Sequence, residues 1–246
     1  IFSSKRDESL SLDNLVKSLE HRGNDGKGQY LDPEVPLALA HSRLSIIDTS
    51  SDSHQPFIGE QFVGVFNGTI LNFRELRQLL INEGIEFSSA GDTEVLFRAL
   101  QHWGTQEALS RIVGFFAFAF WDKSNQKLIL ARDRVGVKPL YFYKDSKTLM
   151  FASDMTLFLN EGFRNLDEGA VSNLICDGYV SGAQSVLKDV MKLSPGTYIE
   201  ARIADQDIQV TSSKYFQGFP ARSTQVSDDD AVEKLGTHEP AGPFRG

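Results

Sequence analysis

Phe115-Phe116-Ala117-Phe118-Ala119-Phe120-Trp121, then Lys123-Ser124-Asn125-Gln126, then Leu128-Ile129-Leu130-Ala131 follow one another almost without a break. The two apolar runs predict strands, and the polar segment between them predicts a hairpin turn. Two more strand-like runs, 140–143 and 149–152, come within twenty residues. Short strands joined by hairpins imply antiparallel sheets. Such sheets need their apolar faces covered, and the helical patterns elsewhere in the chain can do this. The fold class expected is α+β, in layers of helix and sheet.

Outward from that block, Leu12, Leu15, Val16 and Leu19 recur at helical spacing and predict a helix stopped by Gly23. Residues 37–41 and 62–66 predict strands, the second ending at the turn pair Asn67-Gly68. Asn72 is expected to cap a helix, with Glu75 as its capping-box partner, Leu76, Leu79 and Leu80 as the apolar stripe and Gly84 as the stop. Asp92 or Thr93 starts a helix reaching about Trp103. A helix near 166–176 and a last strand near 197–201 close the compact part. Residues 223–246 open with Asp228-Asp229-Asp230 and end Pro/Gly-rich. They read as a linker or the edge of another domain, which makes 1–222 the domain proper.

The 246 residues carry 25 Lys+Arg against 33 Asp+Glu, a net charge of −8, which speaks against a nucleic-acid partner. No apolar run is long enough for a membrane span. The one cysteine, Cys176, excludes an internal disulfide and points to a reducing, cytoplasmic setting. It lies in an apolar helical segment and reads as a buried small hydrophobe. The five histidines are scattered and suggest no metal site. The chain begins at Ile1 rather than Met and reads as a fragment or a processed product.

Four clusters hold the polar chemistry. They are His21-Arg22-Gly23-Asn24-Asp25-Gly26, His41-Ser42-Arg43-Leu44-Ser45-Ile46-Ile47-Asp48, Phe66-Asn67-Gly68-Thr69-Ile70-Leu71-Asn72-Phe73, and Ala131-Arg132-Asp133-Arg134-Val135-Gly136-Val137-Lys138-Pro139-Leu140-Tyr141. With Gly91-Asp92-Thr93-Glu94 and Phe116-Ala117-Phe118-Ala119-Phe120-Trp121-Asp122, they occur in a specific order. That series resembles the glutaminase (class II glutamine amidotransferase) domain of glutamine-hydrolysing asparagine synthetases. Phe151-Ala152-Ser153-Asp154 and Leu193-Ser194-Pro195-Gly196 resemble later blocks of the same family.

The resemblance implies a four-layer αββα N-terminal-nucleophile hydrolase sandwich and glutamine hydrolysis. The family's nucleophile is a cysteine at residue one of the mature chain, with its own α-amine as base. An α-amine titrates at roughly 7.7–8.0, near working pH, where a general base is most useful. Asn67 and Gly68 match the oxyanion hole, although alone they read equally as a type I′ turn. Arg43 matches the grip on the substrate α-carboxylate, with Leu44, Ser45, Ile46 and Ile47 lining the same pocket. Asp92 matches the acceptor for the substrate ammonium, and by itself reads as a helix cap. Arg132, Asp133, Arg134 and Lys138 read as a structural charge network.

Three departures stand against the family pattern. The family begins near Cys-Gly-Ile-Ala-Gly-Ile-Phe, whereas this chain begins at Ile1-Phe2, so the chain as given is expected to lack the nucleophile and to be inactive. Thr69 stands where the family has Glu. A hydrogen bond to a charged group is worth roughly 1.5–3 kcal/mol, so glutamine should bind about ten- to a hundredfold more weakly. The ATP-pyrophosphatase synthetase domain, with its ATP and Mg, does not follow; the glutaminase domain itself needs no cofactor. The implied partners are glutamine, that C-terminal synthetase domain and, as an open option, a second copy in a homodimer. The ammonia would amidate aspartate. Three other readings stay open. One is an inactive glutaminase-like domain, as in β-lactam-forming synthetases, acting as a structural or glutamine-binding module. The others are an amidotransferase making glucosamine phosphate or phosphoribosylamine, and a glutamine sensor.

Overall fold

The computed structural model describes residues 1–4, 26–43 and 55–218. The helix expected over 12–19, residues 21–25 of the first cluster, the pocket residues Leu44 to Ile47 and the 223–246 segment lie outside them.

The central sheet has six antiparallel strands in the order β12-β11-β7-β6-β5-β4. These are β4 (Phe57–Ile58), β5 (Phe62–Ile70), β6 (Gly114–Asp122), β7 (Lys127–Arg132), β11 (Thr197–Ala204) and β12 (Asp207–Lys214). The hairpin read from 115–131 is therefore its middle, with Phe118 opposite Ala131 and Trp121 opposite Leu128. A second sheet runs β1-β9-β8-β10, from β1 (Phe2–Ser3), β8 (Tyr141–Lys144), β9 (Thr148–Ala152) and β10 (Met191–Lys192). The hairpin of β2 (Gly26–Leu31) and β3 (Ala38–Arg43) joins β1 through a Phe2–Leu37 bridge. There Ile1 donates its amine to the Ala38 carbonyl at 2.7 Å.

Strand alternation puts successive side chains on opposite faces and explains the layers. On β5 and β6, Phe62, Phe66, Ile70, Phe116, Phe118 and Phe120 pack under the helices α1 (Phe73–Asn82), α2 (Asp92–Trp103) and α3 (Thr105–Arg111). Val63, Ala117, Ala119 and Trp121, on the other face, meet Phe2 and Leu149 of the second sheet and Leu37 just ahead of β3. The outer face of that sheet, with Ile1, Ala38 and Met150, packs on Leu157 and Phe158 of α4 (Thr156–Asn160). Beside it, α5 (Glu168–Asp177) is capped by Asp167, whose carboxylate accepts from the Ala170 N–H at 2.8 Å, and is ended by left-handed Gly178. Helix, sheet, sheet and helix make the expected αββα order.

Several local expectations are corrected. Asn67-Gly68 makes no turn: β5 runs through both, opposite Ala117 and Phe116, and ends at Ile70. Asn72 stands at the start of α1 but caps nothing with its side chain. Its carboxamide instead joins the Arg111 carbonyl at 3.0 Å and the Val113 N–H at 2.9 Å, tying α1 to the α3–β6 connection. Of the stripe on α1, Leu76 and Leu80 are buried but Leu79 is exposed. Phe115 is also exposed, at the end of β6 where the second sheet no longer covers it. Cys176 is exposed, not buried, because α5 buries only Ala170. The strand at 197 is followed by β12, a partner along its whole length that the polar sequence of 207–214 concealed.

Candidate functional site

The site is built on the edge of β5 that faces away from β6. Backbone bonds from Lys123 N–H to the Gln61 carbonyl (3.0 Å) and from Leu71 N–H to the Val113 carbonyl (2.8 Å) flank the β5–β6 ladder. In an antiparallel pair the residues alternate between bonding the partner and pointing away from it. The odd-numbered residues of β5 therefore bond β6, and Phe62, Gly64, Phe66, Gly68 and Ile70 turn their N–H and C=O groups to the opposite edge. β4 covers that edge only as far as Gly64. Beyond it, the Phe66 N–H donates to Gln55 Oε1 at 2.6 Å and the Ile70 N–H to Asp92 Oδ2 at 2.9 Å. The Gly68 N–H lies between them, and among the described residues nothing accepts from it.

Phe116, opposite Gly68, confirms the parity. Its carbonyl accepts from the Asp133 N–H at 2.8 Å and its N–H donates to Asp133 Oδ2 at 3.3 Å, both on the β7 side. Only glycine fits at 68: a Cβ there would stand 2.0 Å from the Phe115 carbonyl oxygen and 2.8 Å from Phe116 Cα. The strands are pressed together from the other side as well, since a Cβ at Gly114 would meet the Thr69 carbonyl at 2.4 Å.

Asn67 and Thr69 share the face of Val63 and Val65, which looks toward the second sheet. Asn67 is half-buried and Thr69 exposed. Among the described residues, no hydrogen bond holds the Asn67 carboxamide. Its amide donors and the Gly68 N–H are thus adjacent in sequence, and neither has a partner among the described residues. Asp92 is the first residue of α2, and Gly91 takes the cap position. Burial raises its carboxyl above the ordinary carboxylate range, against the lowering effect of the Ile70 N–H and of the first α2 amides. Two residues on, Glu94 is fully buried yet held below that range. Burial opposes this, but both Ser88 and Ser89 give it a backbone N–H and a hydroxyl. Glu94 takes its partners from its own loop, whereas Asp92 joins the strand edge at Ile70 to the amides at the start of its own helix.

The charged loop after β7 is closed on itself. Asp133, fully buried, accepts the N–H groups of Val135 (3.1 Å), Gly136 (2.7 Å) and Val137 (3.0 Å) on Oδ1, and that of Lys138 (2.9 Å) on Oδ2. Arg132 donates to the carbonyls of Lys138, Leu193 and Gly136. These charges are architectural.

The structure thus brings Asn67, Gly68, Thr69 and Asp92 to one strand edge. Arg43 ends β3, opposite Gly26; Leu44, Ser45, Ile46 and Ile47 fall outside the described residues. Gln55 escaped the sequence reading. Its bond to Phe66 joins segments that no spacing rule links. Among the described residues, no group of three His, Cys, Asp or Glu could hold a metal ion.

The profile of the family described as glutamine amidotransferase domain matches residues 1–216. Asparagine synthetase 1 of Bacillus subtilis is 31% identical over 232 residues, covering 93% of this chain and 35% of that protein. A putative asparagine synthetase of Mycobacterium tuberculosis is 33% identical over 227 residues, covering 86% and 34%. An amidase, chry2, of Gibberella zeae is 32% identical over 200 residues, covering 80% and 29%. The chain therefore spans about a third of the length of these relatives. Among solved structures, the glutamine phosphoribosylpyrophosphate amidotransferase of B. subtilis superposes with a TM-score of 0.60 at 20% identity, over 86% of this chain and 47% of that one. A structure described as the allosteric regulatory enzyme of purine biosynthesis gives 0.63 at 20% identity, over 89% and 48%. The fold is that of N-terminal-nucleophile hydrolase amidotransferases, and the chain, similar in sequence to asparagine synthetases, belongs to the glutamine amidotransferase domain family.

Proposed function

We propose that this domain hydrolyses glutamine to supply ammonia for an ATP-dependent amidation, as the glutaminase half of an asparagine-synthetase-like ligase. The observation that carries the reading is the Gly68 N–H beside the Asn67 carboxamide, neither with a partner among the described residues, on a strand edge where the amides of Phe66 and Ile70 are taken. Two adjacent donors suit a carbonyl oxygen that becomes an anion, and one such donor is typically worth about 10²–10³ in rate.

In this reading a cysteine thiolate, deprotonated by its own α-amine, attacks the side-chain carboxamide carbon of glutamine. The carbonyl oxygen takes the negative charge toward Gly68 N–H and Asn67 Nδ2. The C–N bond breaks, ammonia leaves with the proton returned by the amine, and water cleaves the thioester to glutamate. Arg43 grips the α-carboxylate and Asp92 accepts from the α-ammonium. A carboxyl raised by burial suits a cationic partner that replaces its lost water. Leu44, Ser45, Ile46 and Ile47 complete the pocket, and Thr69 stands where a second carboxylate would strengthen it. ATP and Mg belong to the acceptor domain, with aspartate as the acceptor.

The test is ammonia release from glutamine by the full-length protein, alone and after Asn67→Ala. Release that falls about a hundredfold in the variant is expected. Saturable glutamine binding without release, in a protein that carries a cysteine after its first Met, would overturn hydrolysis. It would favour the inactive-module reading, which Thr69 already supports.

A further inference from the structure

We propose that Gln55 is a positioning residue for the glutamine-hydrolysing site: its side chain fixes the strand edge so that the Gly68 N–H, and no other, is left open to the substrate. This rests on the hydrolase reading above and adds to it a residue outside the motif that carries the donors.

Three amides of β5 face the uncovered edge, those of Phe66, Gly68 and Ile70. Those on either side of Gly68 are each held by a side chain from elsewhere in the chain. Gln55 Oε1 takes Phe66 at 2.6 Å, and Asp92 Oδ2 takes Ile70 at 2.9 Å. Alternate residues of a strand are about 6.8 Å apart, so the two clamped amides stand about 13.6 Å apart with the Gly68 N–H midway between them. Without them the edge would offer a row of equivalent donors, which suits strand addition better than one reacting oxygen. With them, a single donor is presented at fixed height.

Gln55 is itself fixed. A Cβ on Gly28 would stand 2.0 Å from the Gln55 carbonyl oxygen and 2.9 Å from its carbonyl carbon, so the backbone of residue 55 lies directly on β2. Gly28 pairs with His41, two residues before Arg43 on β3. Gln55 therefore has its main chain against the hairpin that carries Arg43 and its side chain on the strand that carries Asn67 and Gly68. Its carboxamide is an acceptor toward Phe66. Glutamate keeps an acceptor oxygen at the same reach, and methionine keeps the length while removing that acceptor.

Two measurements test this. The first is residue-resolved amide hydrogen exchange on the full-length protein, which needs no catalysis. Phe66 and Ile70 should be protected, and Gly68 should exchange at least about tenfold faster. Gly68 protected as strongly as its neighbours would overturn the proposal. The second is kinetic, on the full-length protein. Gln55→Met should lower kcat for glutamine hydrolysis about tenfold, since a displaced donor costs less than a missing one, with KM within about twofold. Gln55→Glu should restore most of kcat. A structural role alone would lower the fraction of active protein and the thermal midpoint together, and would leave kcat per active site unchanged; that result overturns the proposal, as does full activity in Gln55→Met. If the wild-type protein releases no ammonia, the hydrolase reading falls by itself, and the exchange pattern still decides whether Gln55 isolates the Gly68 donor. Should Gln55→Met fail to fold, Gln55→Asn, whose shorter side chain draws the acceptor away from Phe66, takes its place: faster Phe66 exchange with lower kcat would support the clamp, and unchanged exchange with lower kcat would reject it.

Discussion

The strand pair β5–β6 has two flanks that treat their hydrogen-bonding groups in opposite ways. On the β7 side, Phe116 gives both its backbone groups to Asp133, whose carboxylate also gathers four loop amides. On the outer side, Gly68, directly opposite Phe116, gives its N–H to nothing among the described residues. The flank crowded with Arg132, Asp133, Arg134 and Lys138 looks like chemistry in the sequence and is closed architecture in the fold. The flank with few charges is the open one. What marks a site here is an unfilled donor in a place held rigid on both sides.

Breaking the closed flank should have the largest effect. Asp133→Asn turns amide hydrogens toward a buried cluster of donors and leaves several of them unsatisfied. At about 1–3 kcal/mol for each orphaned group, a loss of about 4 kcal/mol or more is expected from denaturant unfolding. A loss under about 1 kcal/mol would erase the distinction between the flanks. Gly68→Ala comes next. The added Cβ has to displace the Phe115 carbonyl from 2.0 Å, so about 2–3 kcal/mol of stability should go, as in an overpacked core. Ammonia release by the full-length protein should fall by about 10² or more, because the displaced group is the donor itself. Activity within tenfold of wild type would remove Gly68 from the site.

Asp92→Asn separates function from stability. Asparagine keeps an acceptor for the Ile70 N–H and removes a carboxylate that burial disfavours. Glutamine binding by calorimetry should weaken about a hundredfold, while stability at neutral pH stays level or rises. The pH dependence carries a matching sign. The folded-state carboxyl is raised, so the folded protein holds that proton more tightly than the unfolded chain. Its contribution to stability therefore declines as pH climbs from the ordinary carboxylate range through the raised value. The Asn variant should lose that decline. A steeper decline in the variant would mean that Asp92 is stabilised as an anion, like Glu94.

Much of this was legible in sequence, and unevenly so. The 115–131 hairpin was, because its residues are local and its apolar run is long. The glutaminase resemblance rested on blocks of adjacent residues, and Asn67, Gly68 and Asp92 lie in such blocks. The Asn67-Gly68 turn was misread because that pair favours a tight turn only when nothing presses on it. Here the close approach of Phe115 is what requires glycine, and no local pattern reports a neighbour 47 residues away. Asn72 looked like a cap, yet Arg111 and Val113 bind its carboxamide from the far side of three helices. Cys176 was placed inside because its segment is apolar, but only Ala170 of α5 finds a surface to pack on. Gln55 had no signature: an acceptor for one particular amide is defined by where the chain returns, not by what surrounds it in sequence.

The smallest expected effect sharpens the open flank instead of breaking it. Thr69 lies beside the Gly68 gap, on the face of Asn67, and its side chain is exposed. A glutamate there meets no packed neighbour that would exclude it. Its carboxylate would stand with Asp92 on the side where the resemblance places the substrate ammonium. An exposed carboxylate keeps its water, so its gain belongs at the low end of the range for hydrogen bonds to charged groups. Thr69→Glu should tighten glutamine binding about tenfold, measured by calorimetry, and raised salt should reduce the gain. The direction matters more than the size. A gain would show that Thr69 is a weakened version of a working pocket. No gain, or a loss from repulsion with Asp92, would show that the ammonium is not held at this edge, and that the open flank beside Gly68 recognises the substrate by its carbonyl alone.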